Sequence, residues 1–207
     1  MKTLSEKQDD VSFERLIHQV LDQQYGYCND FFHPEVVAGL RQQLIHHYQA
    51  GAMHPAGVGA NFDYQKNAAI RGDVIKWIEP DSDQAFEQIF MEKIQRLIKY
   101  LNETCYTSIN DFEFHYARYE AGSFYKRHLD QFKSAKGRKF SFVLYLNEDW
   151  APENDGRISL FIDQHRVDSL FPKAGRVLFF RSDQLEHEVH ASVDRSRMSI
   201  AGWLKNS

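Results

Sequence analysis

The stretch FYKRHLDQF, from Phe124 to Phe132, sets an imidazole and a carboxylate two residues apart, His128 and Asp130. In extended chain, side chains at i and i+2 leave the same face, so both could reach one metal ion. A His-x-Asp pair by itself is common and more often forms a solvated ion pair. The reading therefore turns on a third donor. Further along, LEHEVHASV offers two, His187 and His190.

Two imidazoles and one carboxylate on one side of an ion leave three positions open, the pattern of non-haem Fe(II) oxygenases. Zinc is ordinarily closed by four protein ligands, or by three and a water. The chain after the second histidine bears on that choice. In RMSIAGW, alternation puts Arg197, Ser199, Ala201 and Trp203 on one face, with Met198, Ile200 and then Leu204 on the other. The second face is a core face. The first carries a guanidinium, two small residues and an indole, which describes a pocket wall with a cation suited to a bidentate carboxylate. FSFVLYL repeats the pattern, with Ser141, Val143 and Tyr145 on one face and Phe140, Phe142, Leu144 and Leu146 on the other.

These residues must be positioned by a scaffold, and the remaining chain predicts one. Its 207 residues are 43% hydrophobic and 14% aromatic, enough for one domain with a sizeable core. The first eleven residues are polar and are expected to be disordered. Residues 12–207 are read as a single domain, with helical support over 12–105 and a jelly-roll core over about 110–205. Ser12 suits an N-cap before Leu16, Ile17, Val20 and Leu21, and Pro34 suits the first turn of a second helix. Phe86, Ile89, Phe90, Ile94, Leu97, Ile98 and Leu101 mark a third helix. Between the last two lie a long Gly/Ala-rich loop, Ala50 to Ala69, and a strand candidate, IRGDVIKWIE. After Asn110 come short strand-like runs: DFEFHYARY, KFSFVLYLN, RISLFI, QHRVDSLF, GRVLFF, VHASV and RMSIAGWL. Helices followed by strands predict an α+β chain, a double-stranded β-helix (jelly-roll) barrel braced by N-terminal helices.

A net charge of −4 argues against a nucleic-acid or acidic-membrane footprint, and no apolar run is long enough to span a bilayer. Two cysteines, Cys28 and Cys105, in no pairing or zinc pattern, and no apolar leader at the start point to a reducing, cytoplasmic setting. His46, His47, His54, His115 and His165 are read as surface or packing residues. Trp77 and Trp150 are read as core or rim aromatics, and KSAKGRK, Lys133 to Lys139, as a solvated hairpin turn.

From about Ile70 to Trp203 the chain resembles the prolyl 4-hydroxylases of the hypoxia-factor, or egg-laying-nine, group. The matching stretches are IRGDVIKWIE, YKRHLD, YLNEDW, GRVLFFRSD, HEVH and RMSIAGW. The resemblance implies an Fe(II)/2-oxoglutarate dioxygenase that uses O2, with ascorbate in support. It makes His128, Asp130 and His187 the iron ligands, and Arg197 the clamp on the distal carboxylate of 2-oxoglutarate. Tyr145 would bond that carboxylate and Tyr119 would help hold the co-substrate. It also implies a protein substrate with a target proline, covered by the long loop. An Asp73–Arg138 charge pair, beside Arg71, would tie loop to barrel. Bacterial relatives of similar length have elongation factor Tu as their implied target. Three departures stand out. His187 to Arg197 is one residue longer than usual, which keeps His190 as a rival ligand. Tyr119 to His128 is one shorter. Gly156–Arg157 replaces a double glycine. Two other classes fit the same residues: a hydroxylase of a small molecule or free amino acid, and a non-catalytic binding barrel.

Overall fold

The computed structural model describes residues 4–57, 70–131 and 137–206. In chain order the helices are α1 (Leu4–Gln23), α2 (Pro34–Gln49) and α3 (Ala85–Cys105). The strands are β1 (Tyr25–Cys28), β2 (His54–Pro55), β3 (Asp73–Trp77), β4 (Asp111–Tyr119), β5 (Tyr125–His128), β6 (Arg138–Tyr145), β7 (Ile158–Ile162), β8 (His165–Leu170), β9 (Val177–Arg181), β10 (Glu186–Val189) and β11 (Arg197–Lys205). They form a seven-stranded sheet, β1-β9-β6-β11-β4-β3-β2, and a four-stranded sheet, β5-β10-β7-β8, with antiparallel pairing throughout both.

Strict alternation in β4, β6 and β11 divides the core in two. Outward-facing Phe114, Phe142, Ile200 and Leu204 meet Phe13, Leu40, Phe90, Ile94 and Leu97 from the helices. Inward-facing Tyr145, Leu178 and Phe180 meet Leu160 and Leu170 of the smaller sheet and Leu185 just before β10. A third cluster, Ala117, Tyr119, Tyr125 and Val189, joins the sheets at the other side. Between these two inner clusters lies the cavity described below. Gly202 permits β11 and β4 to lie close, since a Cβ there would sit 2.1 Å from the Glu113 carbonyl oxygen.

Several expectations need correction. The N-terminal segment is helical from Leu4, and Ser12 lies inside α1 as a buried residue donating to the Gln8 carbonyl at 3.3 Å, not at a cap. Buried Asp9, paired with Lys93 and with Arg96 at 2.7 Å, anchors that polar first stretch to α3. This contact is charged, so hydrophobic periodicity gave no sign of it. A short strand, β1, lies between the first two helices where none was expected, and the strand sought in VHASV sits earlier, at Glu186–Val189. Most of the Gly/Ala loop (58–69) and much of KSAKGRK (132–136) fall outside the described residues. Pro34 does open α2, and both cysteines are free. None of the described helices is long and apolar enough to cross a membrane.

Candidate active site

His128 is the last residue of β5, and Asp130 follows in a bend, so the pair does not share one regular strand. Pairing of β5 with β10 sets His187 directly opposite His128. Potential ligand atoms of His128, Asp130 and His187 all lie within 4.8 Å of one another. Asp130 Oδ1 is 3.4 Å from His128 Nε2 and 3.7 Å from His187 Nε2. Each ring turns Nδ1 toward a carbonyl, Lys126 O at 2.7 Å and Leu185 O at 3.3 Å. With the proton on Nδ1, both Nε2 lone pairs face Asp130, as a metal requires.

Burial alone would raise the Asp130 pKa. The neighbouring imidazoles and the Ser141 hydroxyl outweigh it and hold the carboxyl well below the usual range. His187 is lowered to about 4, first by burial and then by His128 beside it. An ionised carboxylate and a neutral imidazole are the protonation states that bind metal. His190 takes no part: its Nε2 lies 2.8 Å from Ser159 Oγ, outside the cluster.

A cavity of about 170 Å³ opens from this set. One arm runs along β11 past Ala201 and Ser199 to Arg197, which is buried. Arg197 Nη2 is 3.4 Å from the Tyr145 hydroxyl, and the guanidinium lies 5.1 Å and 4.9 Å from the Tyr119 and Tyr145 ring centroids. Among the described residues no carboxylate pairs with it, and its Nε has no hydrogen-bond partner. An uncompensated buried cation is costly, and a carboxylate entering this arm would relieve that cost. Burial raises both tyrosine pKa values, keeping the phenols neutral.

The other arm is aromatic. Trp77, His115 and Trp203 come together from β3, β4 and β11, with centroid separations of 4.9, 5.6 and 6.5 Å. His115 Nδ1 and Trp203 Nε1 are buried without partners, and burial lowers the His115 pKa to about 4. His115 is thus a cavity residue that sequence reasoning set aside. Its two-residue spacing from Ala117 and Tyr119 on one strand was the available signal. Ser141 was read only as a small wall residue, yet it donates to Asp130 Oδ2 at 2.7 Å.

The expected Asp73–Arg138 pair does not form. Asp73 is buried against Arg71, with Arg71 Nε at 2.7 Å from Oδ1. Arg138 instead pairs with Glu113 at 3.1 Å, donates to the Asp130 carbonyl at 3.1 Å, and lies 3.4 Å over the Trp203 ring. The nearer guanidinium, two residues from Asp73, takes the carboxylate.

Residues 114–205 match the family described as the 2OG-Fe(II) oxygenase superfamily. A Pseudomonas putida prolyl-4-hydroxylase is 28% identical, with a TM-score of 0.83 over 94% of this chain and 99% of that one. A Trichoplax adhaerens prolyl hydroxylase, solved with a hypoxia inducible factor oxygen degradation domain peptide fragment, shares the fold at a TM-score of 0.87. It is 23% identical over 99% of this chain and 94% of that one. The mouse protein named prolyl 3-hydroxylase OGFOD1 is 32% identical over 96 residues, 42% of this chain but only 17% of that protein. Those 92 or so C-terminal residues, which carry the two histidines, the aspartate and the arginine around one cavity, are a 2OG-Fe(II) oxygenase domain.

Proposed function

We propose that this protein hydroxylates a prolyl residue, at C4, in a protein substrate. The observation that carries the reading is the cavity itself, with His128, Asp130 and His187 between a buried, uncompensated Arg197 on one side and an aromatic arm on the other. The likeness to the Pseudomonas putida prolyl-4-hydroxylase over nearly the whole chain supports the choice of substrate class. Elongation factor Tu is the first candidate substrate, the cytoplasm the setting, and ascorbate the supporting reductant.

The three ligand residues would hold Fe(II), and their donor set fits it: one charge, two neutral nitrogens and room left on the cavity side. Arg197 and the Tyr145 hydroxyl would take the distal carboxylate of 2-oxoglutarate, with Tyr119 packed alongside. When bound, iron and 2-oxoglutarate supply the oxidation, which places one oxygen of O2 on the substrate and the other in succinate as CO2 is released. The protein's own work is orientation and exclusion of water. Ala117, Val143, Ser199 and Ala201 leave space where larger side chains would fill the arm. Trp77, Trp203 and neutral His115 offer apolar faces to a pyrrolidine ring, with unpartnered ring nitrogens for an adjoining peptide group. Arg71 and Asp73 form the cavity wall toward Gly57, where the substrate-covering loop would begin. Arg138 stacks on Trp203 at the rim.

The test is 2-oxoglutarate turnover with Fe(II), with elongation factor Tu and with prolyl peptides, read by mass spectrometry. Stimulated turnover and a gain of one oxygen on proline, both lost in His128→Ala, are expected. Turnover without protein oxidation across candidate proteins would move the assignment to a small-molecule hydroxylase.

A further inference from the structure

β5, which ends in His128, is short and weakly held. It spans four residues at the edge of the smaller sheet, and its pairing with β10 shifts register between His187 and Val189. A ligand histidine on such a strand needs further support if its ring plane is to be fixed. That support comes from the other side. Segment 70–72 lies along the free edge of β5, with Lys126 N donating to Ile70 O at 2.9 Å and Gly72 N to Phe124 O at 3.0 Å.

The side chains continue the same link. The Tyr125 ring stacks on the His128 ring with centroids 3.6 Å apart and planes 18° apart. The Arg71 guanidinium lies 4.5 Å from the Tyr125 centroid. Arg71 is itself fixed by buried Asp73, and its Nη1 reaches the Gly57 carbonyl at 3.4 Å. An unbroken series therefore runs Gly57–Arg71–Tyr125–His128, from the end of the described loop to a metal ligand. Tyr125 also packs with Ala117, Tyr119 and Val189, so its ring cannot swing freely.

We propose that Tyr125 is a positioning residue for His128, and that Arg71, fixed by Asp73 and by the Gly57 carbonyl, holds the Tyr125 ring in place. The proposal rests on the iron-site reading above.

The test uses Co(II) in place of Fe(II), with affinity from calorimetry and geometry from the visible d–d bands. Tyr125→Leu should weaken Co(II) binding by roughly 10-fold, the usual effect of losing a ligand's support, and shift the bands. Tyr125→Phe keeps the ring and should stay within about 2-fold of wild type. Arg71→Lys keeps a charge for Asp73 but loses the planar stack, and should shift the bands in the same direction as Tyr125→Leu. Should Tyr125→Leu fail to fold, Tyr125→Met replaces it, since a flexible apolar chain fills the space without a ring. Unchanged affinity and bands in the ring-less variant would overturn the proposal. A wild-type protein that takes up no Co(II) would overturn the iron-site reading, and this role with it.

Discussion

Ser141 holds Asp130 by one oxygen and leaves the other free. Its hydroxyl donates to Oδ2 at 2.7 Å, while Oδ1 faces the two imidazoles at 3.4 and 3.7 Å. Ser141 is in turn 2.8 Å from the Ser182 hydroxyl, so both serines are fixed in a buried network. A carboxylate restrained in this way would offer a single oxygen to a bound ion and leave positions open for co-substrate and O2.

Ser141→Ala should therefore weaken Fe(II) or Co(II) binding by roughly 10-fold. The variant should lose about 2–3 kcal/mol of stability without metal, because two buried hydrogen bonds, to Asp130 and to Ser182, are removed together. Metal titration and denaturant unfolding measure the two effects separately. Equal metal affinity in both proteins would show that Asp130 is held by its backbone alone.

Arg197 yields a prediction with two opposite signs. It is a buried cation with no anionic partner among the described residues. Arg197→Met should raise the melting temperature of the metal-free, co-substrate-free protein by roughly 2–4 °C. The same change should weaken 2-oxoglutarate binding by about 30-fold or more, since the carboxylate loses a buried charge-assisted partner. Tyr145→Phe should cost roughly 10-fold or more, one hydrogen bond to a charged carboxylate. Thermal shift with and without 2-oxoglutarate reads both effects: wild type gains stability on adding the co-substrate and Arg197→Met does not.

The competition for Asp73 can be measured by double-mutant cycles. Arg71 and Asp73 are in bidentate contact, and both are largely buried. Their coupling in the free protein should reach about 2 kcal/mol, while Asp73 with Arg138 should couple by less than about 0.5 kcal/mol. A large Asp73–Arg138 coupling in the free enzyme would contradict the pairing seen here.

What the chain revealed before folding, and what it hid, follows from the kind of signal each residue leaves. Arg197, Ser199 and Ala201 were legible because β11 alternates without interruption, with Met198, Ile200 and Leu204 marking the opposite face. His128 and His187 required strand pairing to meet; the residues alone left His187 and His190 open as the third donor, and the family resemblance chose between them. Asp73 misled because a long-range partner was carried over from relatives while Arg71, two residues away, could already satisfy it. The first turns of α1 were missed because Asp9 is held by Lys93 and Arg96, and ion pairs leave no hydrophobic period. His115 was hidden for a different reason: one polar residue on a buried strand looks like packing until the sheet brings Trp77 and Trp203 against it.

His115 gives the pH dependence of stability its sign. Its imidazole is buried between two indoles, and burial lowers its pKa from 6.5 to about 4. Above pH 6.5 the ring is neutral whether the chain is folded or not, so it adds no slope. Between about pH 6.5 and 4 the unfolded chain takes up a proton that the folded protein refuses, so stability falls as pH falls. The full difference corresponds to about 3 kcal/mol, an upper figure that relaxation of the site would reduce. His115→Phe keeps an aromatic ring in place and removes the titration. The variant should show a flatter decline of unfolding free energy across that window, measured by denaturant unfolding of metal-free protein at successive pH values. Asp130 begins to contribute at about pH 5, where its carboxyl starts to protonate in the unfolded chain, but it does so equally in both proteins. His187, also lowered to about 4, retains its part of the slope in both proteins. Parallel curves for wild type and His115→Phe would mean that His115 takes up its proton in the fold as readily as in the unfolded chain, which would overturn the proton-refusing, neutral ring assigned to the aromatic arm.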